Sequence, residues 1–478
     1  MAHPAEGSVL DGGFVVGRHL HRGGMANLYE GAHPDRPGEP LVLKLPRLSE
    51  GEDPAAIVGF EMEQMILPRL SGPHVPRFVA ARDFGSPRPY IAMERLPGPS
   101  LAARAPAPSR APLPVAEVAD LAARVADALD DLHRQHVVHL DVNPSNVMLR
   151  PSGEAALVDY GLARHDRLPD LMAEEFRLPY GTAPYMAPEQ VEGVRGDPRS
   201  DLFALGVMMY VLATSRRPFG EPERLSDLRR RLWRDPVPPR RLVPDLPPWF
   251  QEVVLRLLSP DPAERHPTAA QLAFDLRHPE AVALTEGRAG RDRRDGPLAV
   301  FRRRLAANRR RREAAGLPPP RPGALSGRIA DAPIVAVAVD LDQPSPDLAE
   351  AMRAAVGRAV AATPGARVAC LNVLRTNLLL PDSTTDGSGA NRHVGRLVEL
   401  RHWAAPLRLP PERVTYHVLE AVGPAAAIVE HATANRVDHL VLGARSDTVM
   451  RRLLGSVSGE VAARAPCTVT VVRPRGRR

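Results

Sequence analysis

Two textures of apolar and polar positions divide the chain. In the first, short apolar runs alternate with helical spacings. Leu41-Val42-Leu43-Lys44-Leu45 reads as a strand, and Phe60–Leu67 carries the spacing of a helix. Upstream, Gly23-Gly24 sits between two short apolar segments and predicts a hairpin whose backbone can approach a phosphate closely. Val118, Leu121, Val125, Leu129 and Leu132 mark an amphipathic helix, and the Pro/Ala-rich stretch Ala102–Pro114 before it predicts a flexible rim. After Gly327 the texture changes. Ile334–Asp340 is almost continuously apolar, as a parallel strand covered on both faces must be. Similar runs at Arg367–Leu374, Val414–Glu420, His439–Ala444 and Cys467–Arg473, with helical stretches between them, predict a layered α/β domain.

Composition narrows this picture. A chain of 478 residues is too long for one ordinary core, so two domains are expected. No apolar stretch approaches the length of a membrane span, and the N-terminus lacks the basic and apolar regions of a signal peptide. Cys370 and Cys467 are the only cysteines, which excludes a disulfide framework or a cysteine-rich metal cluster. A soluble cytoplasmic protein is expected. The net charge of +7 is local: residues 288–312 hold eleven arginines against Asp292 and Asp295, a balance of +9, so the rest carries −2 (+7 less +9). That segment runs into Pro318-Pro319-Pro320-Arg321-Pro322, which marks an interdomain linker over 281–329. It reads as a solvated tether or as a contact surface for a polyanion.

Of the 63 basic Lys and Arg residues, only Lys44 is a lysine. A compact ammonium on a flexible stem does what a planar guanidinium cannot, and within an apolar strand it needs an anionic partner. Glu61 and Glu63, on the following helical stretch, are the candidates. Further on stand Ala92-Met93-Glu94-Arg95-Leu96, then His139-Leu140-Asp141-Val142-Asn143-Pro144-Ser145-Asn146, then Asp159-Tyr160-Gly161, and Gly181-Thr182-Ala183-Pro184-Tyr185-Met186-Ala187-Pro188-Glu189.

In this order and spacing, the series resembles the bacterial Hanks-type serine/threonine protein kinases. The resemblance covers about residues 12–280, after an N-terminal tail of 1–11, and implies the bilobal α+β kinase fold. It implies ATP and Mg2+ as cofactors and a protein Ser/Thr hydroxyl as substrate. Phosphoryl transfer asks for in-line positioning and neutralised phosphate charge more than covalent chemistry. By the resemblance, Lys44 holds the α- and β-phosphates and pairs with Glu63, with Glu61 as the alternative. Leu20, Gly23, Gly24 and Leu28 cover the nucleotide; Met93 is the gatekeeper, and Glu94 and Leu96 present hinge backbone to adenine. Asp141 takes or orients the substrate hydroxyl proton, and Asn146 and Asp159 offer the oxygen ligands that magnesium prefers. His139 and Tyr160 are packing residues. Asp201 anchors the catalytic loop, and Arg265 pairs with Glu189.

Four positions depart from that pattern. His21 and Ala26 replace the outer glycines of the phosphate loop, while Gly23 remains. Leu140 stands where an arginine usually clamps a phosphorylated activation loop. Consistently, Thr182 is the only Ser or Thr between Asp159 and Glu189, so activation should not depend on Ser/Thr phosphorylation there. Asn143 replaces a lysine that steadies the γ-phosphate, and losing one charged transition-state contact costs ~10²–10³ in rate. These departures leave a non-catalytic, nucleotide-binding pseudokinase or scaffold as the alternative reading.

Residues 330–474, ending in Gly443-Ala444-Arg445-Ser446 and then Gly455-Ser456-Val457-Ser458, resemble the universal stress protein family, which implies a five-stranded parallel sheet. Nucleotide-binding members cradle phosphates at the start of the last helix. By that resemblance Gly443, Gly455 and Ser456 meet phosphates, with Asp340 and Val373 at ribose and adenine. Gly455-Ser456 as a plain helix cap is the alternative. A homodimer through the last strand is also implied.

Overall fold

The computed structural model describes residues 4–48, 53–104, 111–176, 178–290, 300, 301, 303–305, 332–376, 385, 391–444 and 456–474. The first body opens with a five-stranded antiparallel sheet in the order β1-β2-β3-β5-β4, built from β1 (Val15–Arg22), β2 (Ala26–Ala32), β3 (Leu41–Pro46), β4 (Phe78–Arg82) and β5 (Tyr90–Glu94). The predicted hairpin is β1–β2, with Arg22 opposite Asn27 and the Gly23 N–H on the Ala26 carbonyl at 2.9 Å. Period-two alternation sorts β3. Leu41, Leu43 and Leu45 enter one apolar cluster with Phe14, Tyr29 and Tyr90, which sends Val42 and Lys44 to the opposite face. Facing it is α1 (Ala55–Ile66), the predicted helix, which starts earlier than its apolar spacing suggested.

The larger lobe is helical. Its core helix α2 (Val115–Arg134) buries Val118, Leu121, Val125, Leu129 and Leu132, the stripe expected from the sequence. Short strands β6 (Val137–Val138), β7 (Val147–Leu149), β8 (Ala155–Leu157) and β9 (Arg164–His165) frame the catalytic-loop motif. Then follow α3 (Leu171–Glu175), α4 (Pro188–Val191), α5 (Arg199–Thr214), α6 (Leu225–Leu228), α7 (Pro239–Leu242), α8 (Pro248–Leu257) and α9 (Ala269–Arg277). Helix α5 is apolar on all sides and buried from Ser200 to Thr214, as such a helix must be. A Cβ at Gly206 would stand 2.6 Å from Leu257 Cβ, so this glycine sets how closely α5 and α8 pack.

Of the predicted rim, Leu101 is buried in a 3-10 turn and Leu113 donates its N–H to Leu212, while residues 105–110 lie outside the described residues. At the start of the expected linker, the Thr285 and Ala289 N–H groups bind the Glu252 carboxylate on α8. Arg303 reaches Asp235 at 2.7 Å; most of the arginine-rich segment lies outside the described residues.

The second body is the predicted parallel sheet. It runs β12-β11-β10-β13-β14, from β10 (Ile334–Ala338), β11 (Arg367–Arg375), β12 (Val414–Ala421), β13 (His439–Gly443) and β14 (Thr468–Val472). Every pairing is parallel, with Ala338 opposite Leu371 on one side and Leu442 on the other. Ile334, Ala336, Leu440 and Leu442 pack with α12 (Pro424–Ala434) and α13 (Ser456–Arg464). Val335, Val337, Val368 and Val441 pack with α10 (Pro346–Ala362) and α11 (Arg392–Ala404). Helices on both faces explain why the strands read as continuous apolar runs.

Candidate active site

Lys44 leaves β3 toward α1 and ends between two carboxylates. Its Nζ donates to Glu63 Oε2 and, at 2.8 Å, to Asp159 Oδ1. Burial disfavours the ammonium, but Asp159 and Glu63 outweigh it and push the Lys44 pKa above its ordinary value. Asp159 follows the same logic in reverse: burial opposes its charge, Lys44 overcomes it, and its pKa falls. The choice between the two glutamates is decided by helix geometry. Residues two apart on a helix point about 200° apart, so Glu63 faces Lys44 while Glu61 faces the other way and pairs with Arg401. Glu63 also accepts the Tyr160 N–H at 3.5 Å.

The catalytic-loop motif closes on itself around Asp141. Its Oδ1 accepts the Thr182 N–H at 2.8 Å and its Oδ2 accepts Asn146 Nδ2 at 2.9 Å. Burial raises the Asp141 pKa, against the lowering effect of its Thr182 bonds. Asn146 Nδ2 also donates to the Asp141 carbonyl, so the oxygen end of its amide is the end left for a ligand. Together with the Asp159 carboxylate, the donor set is oxygen-rich and fits a hard divalent cation beside a nucleotide. Asn143 is 4% exposed, donates to the Asp141 carbonyl and to Thr182 Oγ1, and accepts the Ser145 N–H. It staples the catalytic loop to the Thr182 segment.

Architecture holds this loop in place. Asp201 at the start of α5 accepts the N–H groups of His139 and Leu140 at 2.9 and 2.8 Å, and binds His133 Nε2 at 2.9 Å. Leu140 and Asp159 both adopt left-handed backbone, φ 63 and 69, which is uncommon outside glycine and gathers at functional loops. Leu140 is buried and its carbonyl accepts from Gln190. His139 packs on Tyr160, ring centroids 5.2 Å apart. Arg265 forks onto Glu189 with bonds of 2.6 and 2.8 Å and lies over the Phe203 ring.

The residues expected to cover a nucleotide are placed by the first sheet. Leu20 lies on β1 and Leu28 on β2, opposite Lys44. The carbonyls of Gly23 and Gly24 accept from Arg47 Nη1 at 3.1 and 3.2 Å, a tether the motif alone did not reveal. Met93 and Leu96 are buried at the lobe junction. The Glu94 side chain is spent on Arg150, at 2.5 and 3.0 Å, and its N–H on the Arg77 carbonyl, so its remaining hinge group is the carbonyl.

In the second body, Asp340, Val373 and Gly443 come together at the carboxyl ends of adjacent parallel strands. A Cβ at Gly443 would meet Leu348 Cδ2 and Met352 Sδ at 2.9 Å, so close packing against α10 also favours a small residue there. Ser456 begins α13, and Gly455 lies outside the described residues. Sequence reasoning missed the cations that this body directs at the first: Arg401 on Glu61 and Asp83, Arg367 on Glu174, and His417 on Glu174 and Glu175. One signal was available, since α1 lacks the polar stripe of a surface helix.

The geometry is that of a phosphotransferase cleft, and comparison with known proteins agrees. The protein kinase domain profile matches residues 14–275, more than half of the chain, so the chain belongs to the protein kinase family. More particularly, it is a serine/threonine protein kinase carrying a second domain, for residues 333–473 match the universal stress protein family. The serine/threonine-protein kinase PknL of Mycobacterium tuberculosis is 30% identical over 308 residues, 63% of this chain and 75% of PknL. The serine/threonine-protein kinase Pkn1 of Myxococcus xanthus is 33% identical over 300 residues, 61% of this chain and 41% of Pkn1. The PknI kinase domain crystal structure from M. tuberculosis aligns over 58% of this chain and 99% of its own, with 26% identity and a TM-score of 0.45. Among the described residues no helix is long and apolar enough to cross a membrane.

Proposed function

We propose that the chain is catalytically active and transfers the γ-phosphoryl group of ATP, with Mg2+, to a Ser or Thr hydroxyl of a protein. The observation that supports this best is Lys44 held between Glu63 and Asp159, an ammonium fixed where phosphate charge must be neutralised. When bound, the metal ion supplies charge neutralisation at the phosphate oxygens. Asn146 and Asp159 offer it ligands, and Lys44 orients the α- and β-phosphates. Asp141 takes the hydroxyl proton, and its bond to the Thr182 N–H aims the carboxylate at the segment where a substrate chain would lie. Leu20, Gly23, Gly24, Leu28, Met93, Glu94 and Leu96 enclose the nucleotide. Radiolabelled ATP with purified protein tests the reading: the Asp141→Asn variant should lose at least about 10²-fold in labelling, and equal labelling of both refutes it.

A pseudokinase reading keeps one specific support. The Asn143 amide is spent on Asp141 and Thr182, and brings no charge toward a γ-phosphate. The universal stress protein domain suggests a stress-linked signal and a second nucleotide site at Asp340, Val373, Gly443, Gly455 and Ser456. Calorimetry should then count two ATP equivalents, one of them lost in Gly455→Trp.

A further inference from the structure

Kinase helix α1 has no solvent face. Ten of its twelve residues are buried, including both glutamates, and a helix apolar on all sides must be covered from outside. Part of that cover is α3, which follows the Asp159 motif and packs on α1. In turn α3 packs on β12 and α12 of the C-terminal domain. The link is charged. Glu174 of α3 binds Arg367 at 2.6 Å and His417 Nε2 at 3.1 Å, and Glu175 binds His417 Nδ1 at 3.0 Å. Asn435, at the C-terminal cap of α12, donates to the Glu174 carbonyl at 3.1 Å. A second link bypasses α3: Arg401 of α11 bridges Glu61 on α1 and Asp83 beside β4, with its guanidinium over the Tyr416 ring.

These contacts add to the kinase domain's own hold on α3, in which Arg195 binds Asp170 at the head of that helix at 2.9 Å. The buried Leu140 offers no cation to an activation segment, and that segment carries no Ser or Thr before Thr182. Besides Asp166 and Asp170, which pair within the kinase domain, it carries Glu174 and Glu175, and the cations that meet these two belong to the other domain. The state so held is the paired one, with Lys44 on Glu63.

We propose that Arg367, Arg401 and His417 of the C-terminal domain are positioning residues for phosphotransfer. They hold α1 and α3 in the arrangement that pairs Lys44 with Glu63, doing in cis what a phosphate on the activation segment would otherwise do. The kinetic part rests on the phosphotransfer reading above. None of the three touches the nucleotide site; Arg401 acts through Glu61, and Arg367 and His417 act through α3.

The test uses the full chain, with myelin basic protein as acceptor, and compares Arg401→Gln, Arg367→Gln, Arg401→Lys and a control, Arg396→Gln. Arg396 lies on the same helix as Arg401 but pairs within its own domain, with Asp342 and Glu399. Coupling of this kind is typically worth about 5–150-fold. Arg401→Gln and Arg367→Gln should each lower kcat by about tenfold with a smaller change in the KM for ATP. Arg401→Lys, keeping the charge but not the fork across two carboxylates, should recover part of the loss, and Arg396→Gln should match wild type. Hydrogen exchange, read in parallel, should show faster exchange over residues 56–66 in Arg401→Gln and not in Arg396→Gln. Unchanged kcat with unchanged α1 exchange overturns the proposal, and so does a rise in kcat, which would mark the docked domain as an inhibitor. If wild type transfers no phosphate, the phosphotransfer reading fails by itself, and α1 exchange still decides: protection retained in Arg401→Gln overturns the positioning role.

Discussion

Raising the pH should loosen the grip of the C-terminal domain on α3, and His417 is the reason. Its ring is fully buried between Glu174 and Glu175 of α3, bonded to Thr415 on its own strand, and 5.0 Å from the His431 ring on α12. Arg367 shares Glu174 with it. Burial alone would strip the proton from His417, but the two carboxylates more than reverse this and raise its pKa from 6.5 to about 9. A raised pKa contributes stability that is complete below the undocked value and lost as pH rises through the docked one. The window is therefore pH 6.5 to 9, and the displacement is worth on the order of 3 kcal/mol at ~1.4 kcal/mol per unit. Glu174 sets the acid limb. Burial raises its pKa, Arg367 and His417 outweigh that, and it falls from 4.5 to about 2, so its contribution is present above pH 4.5 and lost toward 2. The assay is amide protection of α3, corrected for intrinsic exchange, in wild type and His417→Gln at pH 6.5, 7.5 and 9. The wild-type advantage should be largest at 6.5 and shrink steadily toward 9. A difference that stays constant, or grows with pH, refutes the reasoning.

Three further outcomes follow from single contacts. Arg265→Met strands the buried Glu189 carboxylate with only the Ser200 hydroxyl and should cost about 3–5 kcal/mol in urea unfolding of the large lobe; a loss below about 1 would contradict the pairing. Gly206→Ala forces a Cβ against Leu257 and should destabilise by about 1–3 kcal/mol, whereas a neutral result would mean that α5 and α8 separate freely. Cys370 is fully buried and burial pushes its thiol up to about 12, so thiol reagents should modify it only after unfolding, while the half-buried Cys467 reacts in the native protein. Equal native rates for the two would overturn that ordering.

What could be read along the chain was whatever depends on local periodicity and spacing. Leu41–Leu45 was legible as a strand, and in the sheet its alternation turns Lys44 to the face away from the leucines. The nearly continuous apolar run Ile334–Asp340 read as a strand covered on both faces, the four later runs read as further strands of one α/β sheet, and the sheet is parallel throughout. The positions Asp141, Asn146 and Asp159 were legible through the resemblance to the kinase family, whose ordered motifs they match. Less was legible at Asn143. Its chemistry suggested a weakened phosphate contact, while its surroundings make it a staple between the catalytic loop and Thr182. Gly443 was read as a phosphate cradle, and its close approach to α10 supplies a packing reason as well.

The partners of Glu61, Glu174 and Glu175 could not be read at all. They lie 340 residues from Arg401 for Glu61 and 242 residues from His417 for Glu175. No periodicity encodes a contact across such a distance, because it depends on how two independently patterned surfaces meet. By itself the sequence determined two domains, their element types and the candidate residues for phosphoryl chemistry. Only the tertiary structure decided which glutamate holds Lys44 and which answers the second domain. Helical rotation turns Glu61 and Glu63 to opposite sides of α1, and the burial of both charges demands a cation on each side.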